Sequence, residues 1–298
     1  MVVGGVDSSD KPTSIVELYY PASQCTVRLH DTPVANTNPI LCNIGGTIYL
    51  GINTVKITMY TFNFASDNWD KLNDSAISIY DHPRDAFACR ANSIFVTNDD
   101  YPESFDATTK TWTKYKYIPN LAGVESCVVE TNGVVYTFGG TKTQYNPYNY
   151  VQYLTLATNT WTITSTIMPA YTVMGGCHLI PGTTNQILVI IYGSTNNACI
   201  YNTDTNTFGY FTTEQYNLFQ SDVIASTGGN QLYAFDSTAT EYQGAYAYCP
   251  GKSAPWQEVP VGSPITERYY FSVASVNCNA IPSTTFPQTC NPVDFTCQ

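Results

Sequence analysis

An aromatic residue that returns at a nearly fixed interval constrains this chain more than any other feature. Trp69, Trp112, Trp161, Phe208 and Trp256 are separated by 43, 49, 47 and 48 residues. The first four close the same phrase: an apolar strand, a short turn of Thr, Asn or Asp, then the aromatic. The phrase reads YTFNFASDNW at 60–69, ESFDATTKTW at 103–112, QYLTLATNTW at 152–161 and CIYNTDTNTF at 199–208. A looser copy, AYAYCPGKSAPW, covers 245–256, and Cys25 stands 44 residues before Trp69, in the aromatic's place of a first copy. Units of this length bury their apolar faces only by stacking on one another. A four-stranded propeller blade has the right length.

Residue usage agrees with an all-β chain. Tyr occurs 24 times, Thr and Asn are abundant, and no stretch keeps a 3.6-residue apolar period between caps, so almost no helix is expected. The longest apolar run, QILVIIYG at 186–193, falls far short of the roughly 20 residues a spanning helix needs. Lys and Arg number 12 against 23 Asp and Glu, a net charge of −11. Nucleic acid and anionic membranes are bound by clustered cations, so neither is an expected partner. Asn98-Asp99-Asp100 reads as a solvated loop rather than a metal site.

The repeats divide into four strands each. Blade 2 reads PILCNIGG, TIYLGI, ITMYTFNF and WDKL. Blade 3 reads DAFACR, SIFVTN, ESFD and WTKYKYI. Blade 4 reads ESCVVE, VVYTFGG, YVQYLTL and WTITST. Blade 5 reads GGCHLI, QILVIIYG, ACIYNT and FGYFTT, and blade 6 SDVIAS, QLYAFD, GAYAYC and WQEVPV. Residues 1–34 supply only three strands, VVGGV, SIVELYY and CTVRLHD. The missing inner strand is YYFSVASV at 269–276. The last strand is therefore expected to pair with the first and close a ring of six blades, which removes exposed sheet edges. The expected organisation is one propeller over 1–278, with blade 1 shared between 1–34 and 265–278. An irregular tail pinned by disulfides follows at 279–298.

This pattern resembles a degenerate kelch repeat over nearly all of residues 1–278. The resemblance rests on Gly139-Gly140 after VVYTF, Gly4-Gly5 after VV, the turn-plus-Trp phrases, and Tyr49, Tyr136 and Tyr233 near the start of second strands. Blades 2, 3, 5 and 6 lack the double glycine at that point. The resemblance implies a six-bladed ring closed by strands from both termini. It says little of activity, because propellers host enzymes, receptors and scaffolds alike.

Cys42, Cys89, Cys127 and Cys177 occupy one position, midway along the innermost strand, in four successive blades. A metal ring or disulfides are alternatives, but buried free thiols are the expected state. Neighbouring inner positions should lie on the order of 8 Å or more apart, past the ~7 Å reach of a disulfide. The bridge candidates are instead Cys25, Cys199, Cys249, Cys278, Cys290 and Cys297, for which 15 pairings exist. Ten cysteines and few lysines favour an oxidising, extracellular setting. The first ten residues show no signal peptide, so a mature or trimmed form of a secreted protein is expected. Asn73-Asp74-Ser75 is a glycosylation sequon expected in a loop between blades.

Chemistry-bearing residues are sparse. His30 follows an outer strand, His178 follows Cys177 on an inner strand, and His82 lies among Tyr80, Asp81, Arg84 and Asp85. No Ser-His-Asp order, paired carboxylates or phosphate loop stands out, and no cofactor or metal is expected. Some kelch-like propellers resemble copper-radical carbohydrate oxidases, whose metal needs two converging imidazoles. The resemblance also implies binding through the loops joining the outer strand of one blade to the inner strand of the next, and the second strand to the third. Those loops carry Asn36, Asn38, Tyr80, His82, Arg84, Asn120, Tyr171, Tyr216, Phe219, Arg268 and Tyr269, with the insert 141–149 beside them. Aromatic and Arg side chains are the types that anchor interfaces. The expected role is a non-catalytic extracellular binding or scaffold protein recognising protein or glycan. Self-assembly into a matrix or filament with copies of itself is the alternative, and a carbohydrate-active or oxidase-like enzyme the second.

Overall fold

The computed structural model describes residues 1–20, 25–53, 56–75, 87–97, 101–117, 126–140, 149–168, 176–190, 198–210, 223–226, 232–235, 245–248, 256–259 and 272–276. Among these the regular structure is entirely β, as the Tyr- and Thr-rich composition requires. The strands form six four-stranded antiparallel sheets. The first contains β1 (Val2–Val3), β2 (Val16–Tyr20) and β3 (Cys25–Arg28). The second runs β4 (Ile40–Ile44), β5 (Thr47–Asn53), β6 (Ile57–Asn63) and β7 (Asn68–Asp74). The third runs β8 (Phe87–Cys89), β9 (Ser93–Val96), β10 (Glu103–Asp106) and β11 (Trp112–Lys114). The fourth is β12 (Cys127–Thr131), β13 (Val134–Phe138), β14 (Tyr150–Thr155) and β15 (Thr160–Ile167). The fifth is β16 (Cys177–Leu179), β17 (Gln186–Ile190), β18 (Ala198–Asn202) and β19 (Thr207–Tyr210). The sixth is β20 (Val223–Ser226), β21 (Leu232–Phe235), β22 (Ala245–Tyr248) and β23 (Trp256–Val259). The last strand, β24 (Ser272–Val273), returns to the first sheet and pairs with β1, Val2 opposite Val273 and Val3 opposite Ser272. The terminal strands thus pair as the strand count demanded.

The chain divides into two compact units, Met1–Ser78 with Val223–Gln298, and Ile79–Asp222. Each contains three sheets in a propeller-like arrangement. In the first unit β24 packs between β20 and β4, and in the second β12 packs between β8 and β16. The inner strands are therefore β24, β4, β8, β12, β16 and β20, and β3, β7, β11, β15, β19 and β23 are outer edges.

The repeated phrase has a mechanical explanation. Its leading Asn or Asp accepts two backbone N–H groups and starts the turn: Asn63 Oδ1 from Ala65 and Ser66, Asp106 Oδ1 from Thr108 and Thr109, Asn202 Oδ1 from Asp204 and Thr205. Four residues later the backbone becomes left-handed, at Asp67, Lys110, Asn159 and Asn206 with φ of 48°, 59°, 50° and 54°. The aromatic two positions on then lands opposite the apolar residue of the third strand, Phe62 facing Trp69 and Phe105 facing Trp112. Ring centroids meet at 4.8 Å and 5.3 Å, and Tyr201 meets Phe208 at 5.1 Å.

Three of these turns also bond the preceding sheet: the Asn206 carbonyl accepts the Thr166 hydroxyl of β15 at 2.6 Å, and the other two clasp a single residue. Asp67 Oδ1 accepts the His30 N–H at 3.0 Å, and Trp69 Nε1–H donates to the His30 carbonyl at 3.3 Å. In the other unit Asn159 Oδ1 accepts the Lys116 N–H at 3.0 Å, while Trp161 Nε1–H donates to the Lys116 carbonyl at 3.1 Å. One backbone residue at the end of an outer strand is thus held on both sides by the next turn. The double glycines serve a different need. Gly4-Gly5 and Gly139-Gly140 all have positive φ, and a Cβ on Gly4 would collide with Asn36.

The inner-strand cysteines depart from expectation. Cys42, Cys89, Cys127 and Cys177 are disulfide-bonded rather than free thiols, and Cys127 bridges Cys177. Their Cα atoms are 5.7 Å apart, so the inner strands converge more closely than a spacing of 8 Å and fall within disulfide reach. Cys199, expected in a bridge, is a buried free thiol. It sits on the third strand opposite Val189, which in turn faces Cys177, and the Cys177 sulfur is already committed. Asn73 lies not in a loop but exposed within β7, because a bulge near Tyr60 extends that strand until Asp74 pairs with Thr58.

Candidate functional site

The loop face proposed from the repeats is the end of each sheet where the second strand passes to the third and the fourth departs. Of its sequence candidates, Asn38 is described. It is half-buried, has a φ of 48° and lies just before β4. Tyr80, His82, Arg84, Asn120, Tyr171, Tyr216, Phe219, Arg268 and Tyr269 lie outside the described residues, as do Cys249, Cys278, Cys290 and Cys297 and the Cys25 side chain. Asn36 is a structural residue. Its backbone bonds Gly5 and Thr13, and its amide donates to Thr32 and Val34.

The third sheet adds residues that the loop reading missed. Tyr101 precedes β10, Tyr117 lies just beyond β11, and both rings are exposed at this end of the sheet. They meet edge to face with centroids 5.9 Å apart and planes at 69°. Lys114 Nζ lies 3.6 Å from the Tyr101 ring centroid, a cation–π contact that fixes the ring's orientation. Antiparallel pairing brings this group together: Glu103 faces Lys114, and the Tyr115 N–H donates to the Pro102 carbonyl beyond it. Tyr115 points the other way, onto Phe95 and the Ser104 hydroxyl. The signal was legible as Lys110, Lys114 and Lys116 within seven residues of a chain with only 12 cations. No protein-family model and no curated protein matches this chain. The geometry must therefore carry the functional argument.

His178 is no exposed acid–base group. Burial holds its imidazole below the ordinary pKa, and Nδ1 lies 2.8 Å from the Leu179 carbonyl. A carbonyl only accepts, so Nδ1 carries the proton in the neutral ring. His30 is engaged through its backbone in the clasp with Asp67 and Trp69. Tyr201 and Tyr19 are also shifted upward by burial, Tyr19 to about 12. Their hydroxyls stay protonated at neutral pH and serve as packing groups with a polar tip. Asp106 is held below the usual carboxylate range by the Thr109 and Thr108 N–H groups, which makes it a turn anchor.

Proposed function

We propose that the six sheets close into a single six-bladed, kelch-like β-propeller, and that this protein is a non-catalytic extracellular binding or scaffold protein. Its ligand, a protein or glycan, is taken at the loop face. The observation that carries this reading is the exposed Tyr101–Tyr117 pair braced by Lys114 at the root of that face. Paired aromatic rings offer apolar area at low entropic cost and stack on sugar rings or peptide side chains. An all-β frame of this kind suits such a role, since function in propellers resides in the loops rather than in the frame. Disulfides persist in oxidising compartments, which supports the extracellular setting. Asn73, exposed on β7, is the proposed glycan acceptor.

A screen of immobilised glycans and peptides against the intact protein, repeated with Tyr101→Ala/Tyr117→Ala, tests the reading. A specific ligand whose binding falls about tenfold or more in the double variant supports it, given that hot-spot aromatics contribute ~2 kcal/mol or more. Equal binding by both proteins removes the Tyr pair from the ligand face. Mass analysis before and after enzymatic deglycosylation, on protein from its native source, reads Asn73 directly.

A further inference from the structure

A tyrosine that loses one electron and its hydroxyl proton becomes a phenoxyl radical, with spin shared onto the two ring carbons beside the oxygen. Two such radicals couple at those carbons when their rings are held together and both are open to the oxidant. The chain holds 24 tyrosines, and among the described side chains the exposed ones are Tyr101, Tyr117 and Tyr150, 36%, 43% and 39% accessible. Of these three, Tyr101 and Tyr117 are in contact with each other, centroids 5.9 Å apart and planes at 69°. Tyr136 and Tyr153 come closer, at 5.5 Å, but both are half-buried. Burial also pushes the Tyr136 hydroxyl above its ordinary pKa, so its proton leaves less readily. Neither exposed ring is fixed within a ladder, since Tyr101 precedes β10 and Tyr117 follows β11. Exposed side chains change rotamer within picoseconds to nanoseconds, so the edge-to-face contact samples the arrangement in which the reactive carbons meet. Lys114 Nζ, 3.6 Å from the Tyr101 ring centroid, opposes a positively charged ring. The electron therefore leaves Tyr101 together with the phenol proton.

We propose that Tyr101 and Tyr117 are a site of oxidative modification, joined ring to ring as an intramolecular dityrosine when a haem peroxidase and hydrogen peroxide act on the protein. Each phenol gives up one electron and its hydroxyl proton. The two radicals then form one carbon–carbon bond between ring carbons ortho to the oxygens. Each coupled carbon releases its hydrogen as a proton and each oxygen takes one up, which restores both aromatic rings and both hydroxyls. In sum, two aromatic C–H bonds break and one C–C bond forms. The two electrons and two protons released reduce hydrogen peroxide to two waters. Rings already in contact react at an effective concentration far above that of separate molecules, so the product is a cross-linked monomer rather than two joined chains. The new bond ties the start of β10 to the end of β11. The reaction needs no ligand and is independent of the binding role.

Treatment of the dilute full chain with a haem peroxidase and hydrogen peroxide tests the proposal. The wild-type protein should gain dityrosine fluorescence while remaining a monomer on a denaturing gel, and its mass should fall by two hydrogen atoms. Peptide mapping should join the peptide carrying Tyr101 to the one carrying Tyr117, a readout that needs no variant. Tyr101→Phe and Tyr117→Phe keep the rings and remove the phenols, and each should abolish the cross-link in the monomer. Tyr150→Phe, which removes the other exposed phenol, and Tyr153→Phe, which removes the closer half-buried pair, should leave it unchanged. Oxidation in denaturant, where the ring contact is lost, should scatter the product over many tyrosines. A wild-type monomer without the cross-link, a cross-link mapped to another pair, one that survives Tyr101→Phe, or dityrosine found only between chains each overturns the proposal.

Discussion

Replacing Trp161 by Phe keeps an aromatic ring against β14 but removes the indole N–H that reaches the Lys116 carbonyl at 3.1 Å, together with the second ring. The expected cost is at least about 1 kcal/mol, the net worth of one hydrogen bond, read as a lower denaturation midpoint in urea. Phe208, which occupies the same place in the next sheet, has no such donor, so Phe208→Leu would cost packing but no clasp. His178 makes a prediction of a different sign. Its folded-state pKa lies below the usual 6.5, so the unfolded chain binds the proton more readily. Stability attributable to it is complete above about pH 6.5 and is lost as pH falls towards the depressed folded value. His178→Gln should flatten that part of a stability-against-pH curve, and a curve unchanged by the substitution would rule out this residue as the cause. Cys199, whose thiol burial pushes up to about 12, should resist iodoacetamide at pH 8 in the native protein and react once the chain is denatured. Peptide mapping checks this.

At the scale of the turn, the left-handed position two residues before the aromatic is Asp67, Asn159 and Asn206 in three sheets but Lys110 in the third. Asn and Asp tolerate this conformation because their short side chains bond locally, whereas other L-residues are strained by roughly 1–2 kcal/mol. Lys110→Asn should therefore stabilise the protein by about 0.5–1 kcal/mol, seen as a raised thermal midpoint. This turn also shows what the sequence made legible. The alternation of apolar residues and the Asn/Thr-rich phrase located the strands to within a few residues, since period-two patterning and turn chemistry are local properties. The pairing of β24 with β1 followed from counting strands. Other features were not local. The clasp joins Asp67 to His30 across a gap no periodicity reports. The approach of Cys127 to Cys177 depends on how closely inner strands converge, and neither residue's neighbours encode that distance. Tyr101 and Tyr117 become ring neighbours only through the register of β10 on β11, which no loop sequence encodes.

At the scale of the whole molecule, each of the two units has its own means of internal cohesion. The first is discontinuous in sequence, and contacts between the two ends of the chain hold it together. Ala274 N–H donates to the Met1 carbonyl, and Asn43 Nδ2–H donates to the Ser275 carbonyl across 232 residues. Its core draws on the same distant segments, since Val3 and Leu41 pack in one cluster with Ala274. The second unit is continuous, and the Cys127–Cys177 bridge spans a sequence separation of 50 within it. That bridge lies in a cluster with Val189, Cys199, Phe138 and Tyr201, so its sulfurs also fill core volume. In the chain-entropy account, a loop of this length contributes about 4 kcal/mol by restricting the unfolded chain. Serine in its place would bury two hydroxyls, so the informative variant is Cys127→Ala/Cys177→Ala, which removes the covalent constraint while keeping the site apolar. We expect it to lose about 2–4 kcal/mol, measured by native-state hydrogen exchange in β12 and β16 as denaturant is raised. The first unit has no share in this bridge, so the amides of β5 and β6 show how far the loss spreads. Equal loss in both units would mean that they unfold as one cooperative body, and loss confined to β12–β17 that each unit opens separately. A variant as stable as the parent would mean that the bridge follows the fold and does not hold it.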